Sequence, residues 1–575
     1  MIKNEITNES LIQGIGWGPV LYSEIGLSFW GGVDPLTGVV TDRHHPLFGK
    51  SISGTILAIP SGRGSCTGSC VLLELILNGL APAAIVLSQI ENILPLGVIA
   101  AEEFFGRSIP IIQLKPKSFS QLKNIMYARV ENDYIQSCDR DGNSLEGFKE
   151  GIPFAHLPNL PLTEKDYEIL AGSDGLGSQL AMKIIVRMAR IYKCSSLISV
   201  TKAHIDACIY IGPGGLSFAQ KLCDMGARSV IPTTLNAISV DRKKWRQQGL
   251  SKELGEPAEK LAEAYVKMGA SPTYTCAPYL LNGAPRFGEY IAWAESNAVV
   301  FANSVIGART MKYPDYLDVC VALTGRAPCS GPYIDELRQP QIVVHIHNVN
   351  NVDDSFFPLL GYHIGLLSPN SIPYVKGISH LKPSLDDLKS FGAAFATTSA
   401  APMFHIEGIT PEAHLHQNMI DQLPLQDVRP THLRESWLDL NGSINEDVDL
   451  IALGNPHASL NELGIIAGLC ARFMGQRKIN MTITSGRDEY EKAVTAGYIN
   501  IIEKFGANLI IDTCWCMLTE PIIPSNAQVI MTNSGKYAHY APALVGRSMR
   551  FGSLESCIET ACGFNPVHQP PKWLS

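Results

Sequence analysis

A serine and an arginine stand in a glycine-rich loop near the start of the chain, where they could handle a proton and an anion. The loop covers 61–69 and contains Arg63 and Ser65. An apolar run (55–60) precedes it and a helical apolar pattern (71–77) follows, so the predicted order is strand, loop, helix. Glycines permit close backbone approach, and the free N–H groups of a helix start favour an anion. Ser65 could act as a nucleophile or proton acceptor and Arg63 could hold a carboxylate, although the same spacing also fits a capped tight turn.

Polar clusters also follow several other predicted strands. In open α/β sheets, ligands bind at the carboxyl ends of the strands. Any one of these clusters could be an ordinary loop, but their number favours a single shared polar site. The clusters are Ser61 to Ser69, Thr201 to Asp206, Pro232 to Asn236, Gly454 to His457, Thr484 to Arg487 and Asp512 to Cys516.

The cysteines follow no zinc-finger spacing. The chain has 14 of them and no Cys-x-x-Cys pair. Cys514 and Cys516 are the closest two, Cys557 and Cys562 form a wider pair, and Cys276 stands alone. Spacing favours structural thiols, and the alternative is that three distant thiolates converge on iron or an iron–sulfur cluster.

Two further groups could bind ligands but have plain alternatives. His345 and His347 end a predicted strand, and strand alternation puts both on one face, which suits a metal ion. The residues beyond them have the composition of an ordinary loop. Arg309 could hold a substrate carboxylate or could simply pair with Asp315.

The elements that must position these residues alternate between strand and helix patterns, which predicts an α/β fold with parallel layers. A helix begins after Thr163, and Asp166 suits a capping box there. A polar, turn-rich stretch at 115–165 marks a domain boundary, and 385–450 is polar enough to join two subdomains. The predicted strands are 55–60, 84–87, 109–114, 197–200, 229–232, 341–346, 450–454, 478–484 and 508–514, and the predicted helices include 71–77, 97–106 and 177–192.

Composition excludes several functional classes. The chain has 575 residues, of which 46% are hydrophobic and 17% charged, so we expect a multidomain folded protein without extended disorder. A formal net charge of −8 argues against a broad nucleic-acid surface. The N-terminus lacks a signal-peptide pattern and no window is apolar enough to span a bilayer. We therefore expect a cytoplasmic protein with reduced thiols and no membrane partner.

Several motifs are long enough to compare with known families. They are Leu27 to Asp34, His45 to Leu47, Pro60 to Ser65, His204 to Asp206, Pro232 to Asn236, Thr275 to Tyr279, Glu295 to Ala298, Asn303 to Thr310, Asp512 to Cys514 and Thr532 to Tyr537. Together they resemble the aconitase X family over nearly the whole chain. The resemblance implies an aconitase-like fold, with a swivelling β/β/α domain at 1–145 and a multi-subdomain α/β catalytic part at 146–575, whose subdomains join near 385–450.

The resemblance implies the dehydration of a small hydroxylated acid. Two substrates are known in the family, cis-3-hydroxy-L-proline and mevalonate 5-phosphate, and the fused small domain is similar to the hydroxyproline branch. We therefore expect a hydro-lyase that converts cis-3-hydroxy-L-proline to Δ1-pyrroline-2-carboxylate, with mevalonate 5-phosphate or another small hydroxy acid as the alternative substrate. The partner would be a hydroxy amino acid, and the sequence leaves the formation of a homo-oligomer open.

The resemblance also assigns roles to single residues by position. Ser65 matches the serine that acts as base in the superfamily, and Arg63 stands beside it in the catalytic loop. The residues matched to substrate binding are Gly64, His204, Asn297, Arg309, Arg487 and Lys536.

Thiolates that hold the cofactor are assigned in the same way. The matched residues are Cys276, Cys514 and Cys557, with Cys516 or Cys562 as replacements for one of them. They would hold an iron–sulfur cluster, with [2Fe–2S] favoured, or a mononuclear iron. The sequence differs from the phosphomevalonate branch of the family in one of the strand-end clusters, because Asn455 stands where that branch has a cysteine.

Two other functional classes fit less well. An iron-sensing RNA-binding protein, by analogy with other aconitase relatives, would need a basic surface, and the net charge of −8 opposes that. A zinc hydrolase using Cys514 and Cys516 would need a glutamate or histidine motif to activate water, and none stands near them.

Overall fold

A computed structural model describes residues 9–63, 65–132, 134–152, 160–347, 349–442, 447–564 and 569–574. Strands and helices alternate along most of the chain, which confirms the predicted α/β class. Among these residues, no helix is both long and apolar enough to cross a membrane.

The N-terminal unit is built on one eight-stranded sheet of order β1-β5-β4-β3-β2-β6-β7-β8. Strands β2 to β5 pair in parallel, whereas β1 and the β6–β8 meander run antiparallel to their neighbours. The sheet extends through β8, past the boundary predicted at 145. Its elements are β1 (Glu9–Ile12), β2 (Ile15–Tyr22), β3 (Ile56–Ala58), α1 (Gly68–Leu77), β4 (Ala84–Leu87), α2 (Leu94–Phe105), β5 (Ile111–Gln113), α3 (Pro116–Gln121), β6 (Tyr127–Glu131), β7 (Tyr134–Cys138) and β8 (Ser144–Gly151).

The next unit wraps helices around two small sheets. Strands β10, β11 and β12 are parallel in the order β11-β10-β12, and β9 pairs antiparallel with β13. Its first helix has the predicted capping box, formed by Thr163 and Asp166. The elements are α4 (Glu164–Ala171), α5 (Leu176–Ile191), β9 (Leu197–Ser199), β10 (Ala203–Ile205), α6 (Pro213–Asp224), β11 (Thr233–Leu235), α7 (Lys252–Lys267), β12 (Ala292–Trp293), α8 (Ser296–Phe301), α9 (Leu317–Thr324) and β13 (Arg326–Pro328).

Two predictions of secondary structure in this unit were wrong. The apolar run 229–232 is not a strand, because its N–H groups bond to carbonyl groups at the ends of other elements and not to a neighbouring strand. Ser229 N donates to Met268 O at 2.7 Å, and Val230 N donates to Ala322 O at 2.9 Å. The strand begins instead at Thr233. Likewise, the polar segment from Thr201 to Asp206 contains the buried strand β10 and is not an open loop.

The third unit is a four-stranded parallel sheet of order β16-β15-β14-β17, covered by helices. Strand β17 is therefore at one edge and β14 lies beside it. The elements are β14 (Ile342–Ile346), α10 (Phe356–Leu367), β15 (Pro373–Lys376), α11 (Leu385–Thr398), β16 (His405–Ile406), β17 (Leu425–Val428) and α12 (Pro430–Asp439).

The last unit is a five-stranded parallel sheet of order β20-β19-β18-β21-β22. The strand order reverses at β18, and ligands of such sheets bind at the carboxyl ends beside the reversal. The elements are β18 (Leu450–Leu453), α13 (Leu460–Arg472), β19 (Asn480–Ser485), α14 (Arg487–Thr495), α15 (Tyr498–Phe505), β20 (Asn508–Ile511), β21 (Val529–Thr532), α16 (Gly535–Val545), β22 (Ser548–Phe551) and α17 (Leu554–Ala561).

Helix α1 joins the N-terminal unit to the second unit. Its side chains share one continuous apolar core with residues of α5, α6 and α9. Because nearly every residue of α1 is buried, the loop before it is held against the rest of the molecule.

Candidate functional site

One cavity receives residues from all four units. The N-terminal unit supplies Ser65 and its neighbours, and the last unit supplies two cysteines and a lysine. Three of the six predicted strand-end clusters contribute to it, namely Ser61 to Ser69, Pro232 to Asn236 and Asp512 to Cys516, whereas residues of the other three line separate cavities. Its lining residues are Trp30, Ser65, Thr67, Ile209, Asn236, Glu295, Ser296, Ala393, Ala396, Thr397, Cys514, Cys516, Met517, Lys536 and Tyr540.

Ser65 is held by the turn that starts α1. Its Oγ donates to Thr67 Oγ1 at 3.1 Å and accepts from Thr67 N at 3.3 Å. This turn is fastened to the second unit, because Ser69 Oγ donates to Asp315 O at 3.1 Å and the Cys70 thiol to Asp315 Oδ2 at 3.5 Å. The structure thus places Ser65 inside the cavity with the hydroxyl near the positive end of a helix.

A buried polar chain crosses the cavity floor. Lys536 Nζ donates to Glu295 Oε1 at 2.8 Å, and Asn236 Nδ2 donates to Glu295 Oε2 at 3.2 Å and also to Asp206. Burial alone would raise the pKa of Glu295, but the Lys536 ammonium and the Asn297 amide hold it below its ordinary value. Burial likewise opposes the charge on Lys536, yet Glu295 and the nearby thiols raise the Lys536 pKa. The two side chains therefore form a charged pair at neutral pH.

Three cysteines stand beside this pair. The Cys514 thiol lies within hydrogen-bonding reach of those of Cys276 and Cys516. The contact with Cys276 and burial raise the pKa of Cys514, although the contact with Cys516 and the Lys536 ammonium act to lower it. Backbone and amide donors face the sulfurs, since His457 N reaches Cys276 Sγ and Asn455 Nδ2 reaches Cys516 Sγ, each at 3.3 Å. Three thiols with N–H donors suit an iron–sulfur group, because such donors stabilise sulfur ligands that carry negative charge.

The structure does not bring Cys557 to this group, which corrects the predicted third cysteine. Cys557 lies on α17 in a separate apolar core that also contains Cys470 and Cys562. Burial there raises the pKa of its thiol. Cys516, which the sequence analysis kept as a replacement, takes its place because a single 3₁₀ turn after Cys514 returns the next thiol to the cavity.

Three further predicted residues lie next to the cavity without lining it. Arg63 pairs with Asp42 at 2.9 Å and lines a neighbouring cavity. His204 is buried behind Asn236, with Nδ1 2.8 Å from Thr234 Oγ1, and burial lowers its pKa to about 3. Asn297 donates to Cys276 O at 3.1 Å and also to Glu295, so it supports two site residues. Gly64 lies outside the described residues.

The two other predicted arginines are engaged elsewhere. Arg309 pairs with Asp335 at 2.5 Å rather than with Asp315. Arg487 pairs with Asp512 and lines a different cavity together with Lys202.

Two residues of the site escaped the sequence prediction, Glu295 and Asn236. Both stood inside quoted motifs, but neither was assigned a role. Asn236 follows β11 directly, and Glu295 is the second residue after β12. Their position at strand carboxyl ends was the signal that could have identified them.

Comparison with known proteins identifies the family of this chain. Four family models match in order along the chain: the aconitase X swivel domain at 5–137, first domain at 159–336, second domain at 340–437 and third domain at 448–563. The chain belongs to the aconitase X family. The resemblance identified from the sequence motifs is confirmed.

Similar proteins include two named cis-3-hydroxy-L-proline dehydratase. The one from Pseudomonas aeruginosa is 49% identical, over 99% of this chain and 98% of its own. The one from Hypocrea jecorina is 50% identical, over 96% and 94%. Among solved structures, the holo-form of Thermococcus kodakaraensis aconitase X is 34% identical with a TM-score of 0.63, covering 69% of this chain and 99% of that one. This match supports the predicted aconitase-like architecture.

Proposed function

We propose that the protein is a hydro-lyase that eliminates water from cis-3-hydroxy-L-proline to give Δ1-pyrroline-2-carboxylate. The observation that carries the proposal is the cavity in which Ser65 meets Glu295, Lys536 and two cysteines. Relatives about half identical over nearly the full length carry the corresponding name. Asn455, where the phosphomevalonate branch has a cysteine, also favours this substrate over mevalonate 5-phosphate.

Ser65 would remove the proton from C2 of the substrate. That proton is weakly acidic, so the base must be aligned with it and its charged form must be stabilised. The Thr67 N–H already donates to Ser65 Oγ, and the start of α1 adds a favourable field for an alkoxide. The fastening of this turn to Asp315 would keep the oxygen in place during proton transfer.

Lys536 and Glu295 would bind and orient the substrate. The Lys536 ammonium is the cation that lines the cavity, so it is suited to the substrate carboxylate. Glu295 faces the same space and could accept from the ring amine. The C3 hydroxyl would leave with the electron pair of its C–O bond and take up the proton that Ser65 removed from C2, so that one water is released and Ser65 returns to its basic form. The remaining enamine tautomerises to the cyclic imine.

Cys276, Cys514 and Cys516 would hold the metal group, as an iron–sulfur cluster of the [2Fe–2S] type or as a single iron. When bound, such a group supplies a Lewis acid that makes the C3 hydroxyl a better leaving group. The chain's own contribution is to present three thiols and to direct the His457 N–H and the Asn455 amide at two of them.

Replacement of Ser65 tests this assignment. The Ser65→Ala protein should retain its iron and its visible absorption while its turnover falls by about a thousandfold, because general base catalysis is lost. Product is measured by ¹H NMR after anaerobic purification. Ser61→Ala is the matched control, since that hydroxyl lies in the same loop and donates to Gln89 Oε1 at 3.5 Å, the long end of the hydrogen-bond range. Full turnover in Ser65→Ala would remove Ser65 as the base.

A parallel assay tests the substrate. The wild-type protein is incubated with cis-3-hydroxy-L-proline and, separately, with mevalonate 5-phosphate. We expect dehydration of the first alone. Faster turnover of the phosphate ester would replace the proposed substrate by the alternative.

A further inference from the structure

Two histidines and one aspartate converge on the third unit, well separated in sequence from the cysteine site. One ring nitrogen of His345, one of His347 and a carboxylate oxygen of Asp427 all lie within 4.8 Å of one another. Asp427 Oδ1 is 3.6 Å from His345 Nδ1 and 2.5 Å from His347 Nε2, and the two imidazole rings lie 3.8 Å apart. Three potential ligand atoms thus already face one small volume.

The strands hold this arrangement in place. His345 belongs to β14, and its register partner on the parallel neighbour β17 is Asp427. His347 follows β14, where its N–H donates to Val428 O at 2.9 Å. Because both strands belong to one sheet, the backbone fixes the spacing of the three side chains without help from a metal ion.

The chemistry of the three groups suits a borderline transition-metal ion. Imidazole nitrogen and carboxylate oxygen bind Zn²⁺ at about 2.0–2.2 Å, which places neighbouring ligand atoms about 3–4 Å apart in a tetrahedral site. The distance of 3.6 Å between His345 Nδ1 and Asp427 Oδ1 falls in that range, and the distance of 2.5 Å between His347 Nε2 and Asp427 Oδ1 is shorter. The two histidine side chains are 33% and 32% exposed and Asp427 is 56% exposed, so an ion can enter from solvent.

Nearby charges neither create nor prevent the site. The Lys376 ammonium opposes a cation, whereas the Glu407 carboxylate attracts one, and both act on His345.

We propose that His345, His347 and Asp427 bind one divalent transition-metal ion, with Zn²⁺ the best fit, at a site separate from the cysteines. The bound ion would link the edge strand β17 to its neighbour β14. Three protein ligands leave a coordination position for water or a small anion. This site is independent of the proposed dehydratase activity.

The chain provides an internal control. His414 and His416 have the same spacing, but His416 is buried against the His405 ring while His414 faces solvent. They lie on a 3₁₀ turn and, among the described residues, belong to no group of three ligand residues whose atoms lie within 4.8 Å of one another. The two histidine pairs therefore share the same sequence spacing, and only His345 and His347 lie close to a third ligand, Asp427, among the described residues.

Equilibrium dialysis of the iron-loaded protein against Zn²⁺, with metal content measured by mass spectrometry, tests the proposal. The wild type and His414→Ala should bind one more equivalent than His347→Ala, whose affinity should be at least about tenfold weaker. Zinc taken up by the cysteines is common to all variants and cancels in the difference. Equal zinc binding by wild type and His347→Ala would overturn the proposal.

Co²⁺ absorption provides a second measurement that does not depend on counting ions. Cobalt held by histidine and carboxylate gives weak visible bands, whereas cobalt on thiolates adds intense near-ultraviolet bands. The weak bands should persist in Cys514→Ser and disappear in Asp427→Asn. Their persistence in Asp427→Asn would remove that residue as a ligand, and turnover should be unchanged in every variant of this site.

Discussion

Two groups of three cysteines in this chain have opposite surroundings. Cys276, Cys514 and Cys516 stand beside a cavity, with N–H donors directed at their sulfurs and Lys536 close by. The second group, Cys470, Cys557 and Cys562, is enclosed by aliphatic side chains. The first group has N–H donors and a cation that can stabilise sulfur ligands of a metal, whereas the second group is packed in an apolar core that favours the neutral thiol.

The difference shows that sequence spacing does not select metal ligands in this protein. The second group has a compact Cys-x₄-Cys pair, as the first has a Cys-x-Cys pair. The positions of the two groups differ. Cys514 and Cys516 follow strand β20, and donors that follow β18 reach Cys516 and Cys276. The second group lies on or at the end of helices, in an apolar core. Carboxyl ends of strands provide free N–H groups, whereas the interior of a helix does not.

Serine substitutions in each group should give the largest contrast. Cys514→Ser should lose most of its iron, and turnover should fall by at least about a thousandfold because a Lewis acid contributes several kcal/mol. Cys557→Ser should keep both iron and turnover and lose only thermal stability, because a polar hydroxyl replaces a buried thiol. Iron content is measured by mass spectrometry on anaerobically purified protein. Loss of iron in Cys557→Ser but not in Cys514→Ser would reverse the assignment.

Removing the charge of Glu295 should have a smaller effect. Glu295→Gln keeps the shape but leaves the Lys536 ammonium without its anionic partner, so turnover should fall about a hundredfold while the iron remains. Glu289→Gln is the matched control, because Glu289 also pairs with a lysine, Lys202 at 3.1 Å, away from the cavity. A turnover loss of equal size in both variants would show that the effect is not specific to the site.

The smallest effect concerns a carboxyl group next to the second cysteine group. Burial raises the pKa of Asp354 from 3.8 to about 7, although Leu554 N donates to its Oδ2 at 2.8 Å. The folded protein therefore retains a proton that the unfolded chain releases, so this group's contribution to stability falls as the pH rises from about 4 to about 7.

Asp354→Asn keeps the acceptor for Leu554 and removes the titration. Relative to wild type, its melting temperature should be unchanged near pH 4 and about 1–3 °C higher at pH 8, measured by differential scanning fluorimetry. A difference that is constant with pH would contradict the raised pKa.

Local patterns in the sequence were sufficient for the strand, loop and helix around Ser65 and for the α/β class. The strand-end clusters predicted the site in part, because three of the six contribute to the cavity beside the cysteines and residues of the other three line separate cavities. Pairings between distant residues could not be predicted. The ion pair of Arg309 with Asp335 and the isolation of Cys557 depend on how separate units pack, which no spacing within a segment encodes.

The continuous apolar core around α1 has a consequence for assembly of the site. Ser65 and the cysteines belong to different units, and here one polypeptide connects those units. Their meeting is an intramolecular event with a high effective concentration, set by the connecting chain rather than by the amount of protein. Dilution therefore leaves the site assembled, and its formation needs no encounter between separate subunits.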